Sequence, residues 1–260
     1  MHLFHFGSSQ ARLFGAYHPP ASGFGRSGGV VLCHPFGHEY IRAHRTIRNL
    51  AARLSDAGLH VLRFDYFACG DSAGETEAGS MARWKSDIAV AIDELKDMAS
   101  LNRVSVIGVR LGASLAALAT ANRKDIEALV LWDPIARGGQ YIQELADLQT
   151  RWLKRRPGQL TASGNAPDEL FGFPISPALR SEFDAIDLFG VPRWSARRHA
   201  LVITSEADPS NLATHLEHCG TWTVERPTQD CRWRHPQSVH LQLLANEAVQ
   251  SIVQLFAQTR

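Results

Sequence analysis

Cysteine is scarce in this chain and poorly spaced for any joint role. Cys33, Cys69, Cys219 and Cys231 form no C-x-x-C pair, so neither a zinc site nor a disulfide framework is indicated. An excess of one charge is missing as well. Against 27 basic residues stand 26 acidic ones, and the formal net charge of +1 argues against nucleic acid as a partner. No hydrophobic run approaches the roughly 20 residues of a membrane span. The N-terminal stretch MHLFHFGSSQARLFG has neither the basic lead nor the apolar length of a signal peptide, so a cytoplasmic location is expected. Repeats and low-complexity tracts are absent. His34, His38 and Glu39 stand close together, but H-x-x-x-H-E has no recognised ligand spacing, and no metal or other cofactor is expected.

What is present is ordinary globular composition, 45% hydrophobic and 20% charged over 260 residues, enough to bury a large core. A short hairpin is expected over His2–Phe6 and Ala11–His18. Apolar runs at Gly29–His34, Leu59–Asp65, Val104–Gly108, Ala128–Trp132, His199–Thr204 and Thr221–Glu225 read as buried strands. Helical spacing falls between them, over Tyr40–Ala57, Ser80–Ala99, from Leu111 onwards, and at Leu241–Phe256. In the first of these, Ile41, Ile47, Leu50, Ala51 and Leu54 form the apolar face and Arg42, Arg45, Arg48 and Arg53 the solvated one. Helices at Tyr141–Lys154 and Pro177–Leu188 belong to a stretch of different character. The expected architecture is a doubly wound, mostly parallel α/β sheet, with residues 1–134 and 198–260 as core and 135–197 as a helical lid insertion. Ligands of such sheets bind beyond the carboxyl ends of the strands.

The stretch Val104–Ala117, VSVIGVRLGASLAA, runs from a strand straight into a small-residue helix. Gly108 and Gly112 bracket the turn, where strand and helix pass too close for a Cβ. G-x-x-x-G at such a turn resembles the nucleophile elbow G-x-S-x-G of α/β-hydrolases. Here the central residue is Arg110, a guanidinium that stays charged and cannot accept an acyl group. HPFG after the third strand resembles that family's oxyanion loop, and RFDYFACGDSAG resembles the RFDYxGxGDS segment of serine-aminopeptidase-like members. Together with HPFGHEY and LVLWDP, these motifs look most like a branch akin to exosortase-A-associated hydrolases.

The resemblance implies a triad acid at Asp208 and a histidine at His235, with His240 its rival and Asp133 an alternative acid. It also implies oxyanion amides at Leu111 and at Phe36 or Gly37, since Pro35 has none to give, with His34 and His38 at the same mouth. Asp65 and Asp71 are expected to fix their loop. Arg110 at a helix start suits an anion, or else an internal ion pair with Asp133 or Asp208. Ser114, one turn beyond, and Cys69, in a strand-end loop, are the substitute nucleophiles to consider. Cys69 would need a lowered pKa, and both residue types equally suit packing. The expected activity is hydrolysis or transfer of an acyl group from a small-molecule or carrier-bound ester or thioester, without serine. The competing expectation is a catalytically inactive relative that binds or scaffolds. The arginines of the first helix and Lys154-Arg155-Arg156 read as solvated faces that an acidic carrier protein could meet.

Overall fold

The computed structural model describes residues 1–21, 28–155, 168–191, 194–204, 211–219 and 222–257. Eight strands form one sheet in the order β1-β2-β4-β3-β5-β6-β9-β10. Antiparallel β1 (His2–Phe6) and β2 (Leu13–His18) sit at one edge, β2 pairing antiparallel with β4 (Leu59–Phe64). The remaining pairs, through β3 (Gly28–Cys33), β5 (Val104–Val109), β6 (Ile126–Trp132), β9 (Arg198–Val202) and β10 (Trp222–Glu225), are parallel. The continuous apolar strands are buried on both faces, as a parallel sheet requires. Val31 and Cys33 of β3 face α2 (Met81–Ala99) and α3 (Leu111–Thr120). Val30 and Leu32 point the other way, into α1 (Gly37–Asp56) and α7 (Asn246–Ala257). Ser80 caps α2 by accepting from the Arg83 amide at 3.2 Å.

Between β6 and β9 the chain forms α4 (Gly138–Leu153), a two-stranded hairpin of β7 (Glu169–Leu170) and β8 (Phe173–Pro174), and α5 (Pro177–Asp184). The hairpin and α6 (Leu212–Cys219) have no counterpart in the sequence reading. Two expectations are corrected. The last helix starts at Asn246, so His240 and Leu241 lie in the loop before it. That loop is extended because it docks on α1: the Leu243 amide donates to the Arg42 carbonyl at 2.9 Å, and Thr46 Oγ1 donates to the Leu243 carbonyl at 2.6 Å. The same docking inverts one step of α1. Ile41 is 69% exposed, whereas Arg42, expected in solvent, is only 4% exposed. Among the described residues no helix is long and apolar enough to cross a membrane.

Candidate functional site

The elbow glycines act as the sequence demands. A Cβ on Gly108 would stand 2.3 Å from Ala113 Cα, and one on Gly112 would stand 2.3 Å from the His34 carbonyl oxygen. Between them Arg110 has φ 54° and ψ −121°, a strained conformation for a residue with a side chain, of order 1–3 kcal/mol. The sharp turn is therefore retained around an arginine.

Its guanidinium points into the protein. Arg110 Nε donates to Glu39 Oε1 at 3.1 Å, in a pair whose side chains are 7% and 0% exposed. Nη1 donates to the Asp133 main-chain carbonyl at 3.2 Å. The hydroxyl of Tyr141, on α4, donates to the other Glu39 oxygen at 3.0 Å. The Arg110 guanidinium carbon also lies 5.5 Å from the Tyr141 ring centre and 5.3 Å from that of Trp233. Burial works to lower the Arg110 pKa, but Glu39, Tyr141 and Asp133 outweigh it, and the net direction is upward. Among the described residues the counter-ion is Glu39 and not the Asp133 carboxylate, one of the two partners expected; the other, Asp208, lies outside them.

The Asp133 carboxylate is occupied elsewhere. Asp133 Oδ1 accepts the Thr204 amide at 2.8 Å, while Oδ2 accepts the Thr204 hydroxyl and, at 2.7 Å, the Trp233 indole N–H. Burial raises the Asp133 pKa, and these hydrogen bonds and Arg110 pull against it. An indole N–H on a buried aspartate, with its ring beside the elbow residue, copies half of an Asp–His arrangement. It lacks the second nitrogen that could accept a proton.

The other expected residues scatter. His235 caps a short 3-10 turn, is exposed, and has no side-chain hydrogen bond among the described residues; Asp208 lies outside them. His240 is exposed and meets the Trp152 ring edge-on at 5.0 Å. Ser114 is buried and ties Ile135 down, donating to its carbonyl at 2.7 Å and accepting its amide at 2.8 Å. Burial, with help from Asp65 and Asp87, pushes the Cys69 thiol up to about 12, the reverse of activation, and Arg110 does not lower it. Cys69 lines a cavity of about 100 Å³ together with His34, Phe36, Gly37 and Leu111. His34 is clamped between Tyr40 and Tyr66, at 3.9 and 4.3 Å, and its Nδ1 lies 2.7 Å from the Pro35 carbonyl. Burial first, opposed by Asp65, lowers its pKa. Asp65 accepts from the Tyr40 hydroxyl at 2.6 Å and the Asp71 amide at 3.1 Å, so it holds its loop. Asp71 enters only through that amide and is itself exposed.

The space left at Arg110 is about 50 Å³, bounded by Asp133, Ile135, Tyr141, Ile203 and Arg234. That is far below the roughly 300–1,000 Å³ of small-molecule pockets. Arg234 and Glu144 pair across it at 2.9 Å. Among the described residues no cluster of three or more His, Cys, Asp or Glu could hold a metal ion.

Sequence reading missed the roles of Glu39, Tyr141 and Trp233. Trp233 carried one usable signal, a large aromatic in the polar, arginine-flanked loop CRWRHP, where a ring needs a reason to be buried. Glu39, a polar group at the mouth of the oxyanion loop, and Tyr141, in the insertion, lie far apart in sequence, and nothing local pairs either with Arg110.

A model of the family described as serine aminopeptidase, S33, matches residues 25–172. Solved structures agree on the fold. A ferulic-acid complex of Est1E from Butyrivibrio proteoclasticus is 18% identical, covering 98% of this chain and 100% of that one, with a TM-score of 0.67. Alpha/beta hydrolase domain-containing protein 10 from mouse is 18% identical over 100% of both chains, TM-score 0.62. The thioesterase domain from the curacin biosynthetic pathway is 14% identical over 99% of both, TM-score 0.61. Among curated proteins no match is found.

Proposed function

Because the chain belongs to the serine aminopeptidase (S33) family of α/β-hydrolases, we infer its function from what now occupies that family's reacting position. We propose that it is a hydrolase-fold protein that binds its ligand without forming an acyl-enzyme at the elbow. The observation that carries this is the closed Arg110–Glu39 pair, roofed by Tyr141 and Trp233. A guanidinium is no nucleophile, and one already neutralised in so small a space has little left for a substrate anion. Trp233 on Asp133 cannot act as a general base. In this reading residues 135–197 are a lid, with Tyr141 closing the elbow from above.

A second reading keeps hydrolysis. The elbow backbone is still strained at Arg110, and Arg234, next to exposed His235, lines the small cavity. A water activated by His235 and Asp208 would then attack an ester or thioester of a small molecule or a carrier.

A panel of short and medium acyl esters and thioesters separates the two, assayed on the native protein, His235→Ala and Asp208→Asn. The binding reading expects no turnover above buffer from any of them. Native turnover abolished by both changes would overturn it in favour of the second reading.

A further inference from the structure

A second opening, larger than the space at Arg110, lies away from the elbow. It is a cleft of about 910 Å³ between the start of α1, the end of α4, the β7–β8 hairpin and the loop before α7. That size suits a small ligand with an extended body.

Two side chains in its lining break the usual rules of burial. Arg42 is only 4% exposed and has no carboxylate partner among the described residues. Its Nε donates to the Leu241 carbonyl at 3.1 Å and its Nη2 to the Cys231 carbonyl at 3.2 Å. Nη1 is buried with no hydrogen-bond partner. One turn earlier, the buried His38 also has a free nitrogen, Nε2, and its ring packs on Phe171 at 4.2 Å. Residues four apart on a helix share a face, so the two unmet groups are neighbours. The Arg42 guanidinium packs over the Trp233 ring at 5.4 Å, yet a buried N–H left without an acceptor and a buried ring nitrogen without a partner each cost stability. A ligand that supplies acceptors to both removes both costs.

Part of the remaining wall is apolar and aromatic, and the rest is polar, with Arg45, Gln149 and Gln242 among its residues. Ile41 and Leu241 stand 69% and 60% exposed beside Trp152 and Phe171. Exposed aliphatic groups beside a buried arginine describe a site for a molecule with a charged head and an apolar tail. Asp168 and Glu169 stand on the hairpin wall, with Glu169 accepting the Gly172 amide at 3.1 Å, so an anionic head is steered away from there and towards α1. A carboxylate offers one oxygen to Arg42 Nη1 and the other to His38 in its Nε2–H tautomer, and it fits the single free Nη1 better than a bulkier anion.

We propose that this cleft binds a medium-chain carboxylate, its head on Arg42 Nη1 and His38 Nε2 and its tail along Ile41, Leu241, Trp152 and Phe171. The proposal rests on the binding reading above and names its ligand class. The ester panel tests that reading at the elbow, while direct titration tests the cleft, so the two can fail separately.

The experiment is calorimetric titration of the full chain with decanoate, with decan-1-ol as the uncharged control and decyl phosphate as the larger anion. Saturable decanoate binding is expected, at least tenfold weaker for decanol and for decyl phosphate. Arg42→Gln and Ile41→Asp should each weaken decanoate by tenfold or more. Ile41→Asp alters an exposed side chain, so it decides the matter even if Arg42→Gln does not fold. No saturable decanoate heat overturns the proposal. Equal binding of decanol overturns the head-group assignment, as does preference for the phosphate, and undiminished binding by Ile41→Asp overturns the location.

Discussion

Arg110 and Glu39 are worth more to the fold as a pair than either is alone. Both were taken out of water, and removing one leaves the other as an uncompensated buried charge. Glu39→Gln is expected to lower unfolding free energy by about 3–5 kcal/mol, read from the urea midpoint at constant slope. The combined Glu39→Leu/Arg110→Met exchange should lose less, mainly the orphaned Tyr141 hydroxyl at about 1–3 kcal/mol. A double variant less stable than Glu39→Gln would mean the pair is not the closed, neutralised unit described. His38 gives the pH counterpart. Burial first, then Arg42, Arg110 and His240, hold its pKa down at about 3, against an ordinary 6.5. Below 6.5 the unfolded chain takes up a proton that the folded ring refuses. The stability contributed by the neutral ring is therefore complete above pH 6.5 and drains away as pH falls towards 3. The slope reaches at most about 1.4 kcal/mol per pH unit for one such group. His18, lowered to about 4 chiefly by its own burial and by Arg63, adds to the same loss. Urea titrations at several pH values should show a shallower acid slope in His38→Gln.

The strand-to-helix junction of β5 and α3 was legible in sequence because its constraint is local. Gly108 and Gly112 are forced by backbone that passes within reach of any Cβ, and a reader needs only the spacing to see it. Gly112→Ala would press a methyl onto two carbonyls, the His34 oxygen at 2.3 Å and the Cys33 oxygen at 2.4 Å, neither of which can swing aside as a side chain would. A loss of several kcal/mol, or no soluble protein, is expected from thermal unfolding. Gly172→Ala is the comparison. Nothing lies within 4 Å of its added methyl, so only the φ of +87° is penalised, and a drop of about 1 kcal/mol should result. The first helix was less legible for the opposite reason. Periodicity placed Ile41 inside and Arg42 outside, but the loop from Cys231 to Leu243 covers that part of α1 and offers its carbonyls to the arginine. No helical pattern carries information about a segment some 190 residues away that supplies the arginine's partners.

Across the whole molecule, the sequence disclosed the sheet, the order of its strands along the chain and the position of the elbow, since alternating apolar runs and strand-end loops are written residue by residue. It did not disclose how the site is closed, because Glu39, Asp133, Tyr141 and Trp233 reach Arg110 from α1, the end of β6, α4 and the C-terminal loop. That convergence makes the site testable by reconstruction. Arg110→Ser alone restores a hydroxyl at a turn already bent for one, yet beside it stands Trp233, which has no nitrogen lone pair to take the proton. The single variant should give no p-nitrophenolate burst from p-nitrophenyl acetate. Adding Trp233→His places an imidazole where the indole N–H meets Asp133, oriented by the same 2.7 Å contact, and a slow burst should appear. A further Asp133→Asn should suppress it by taking away the carboxylate that sets the tautomer. If Arg110→Ser alone is active and His235→Ala abolishes that activity, His235 is the base and Trp233 is only a packing residue.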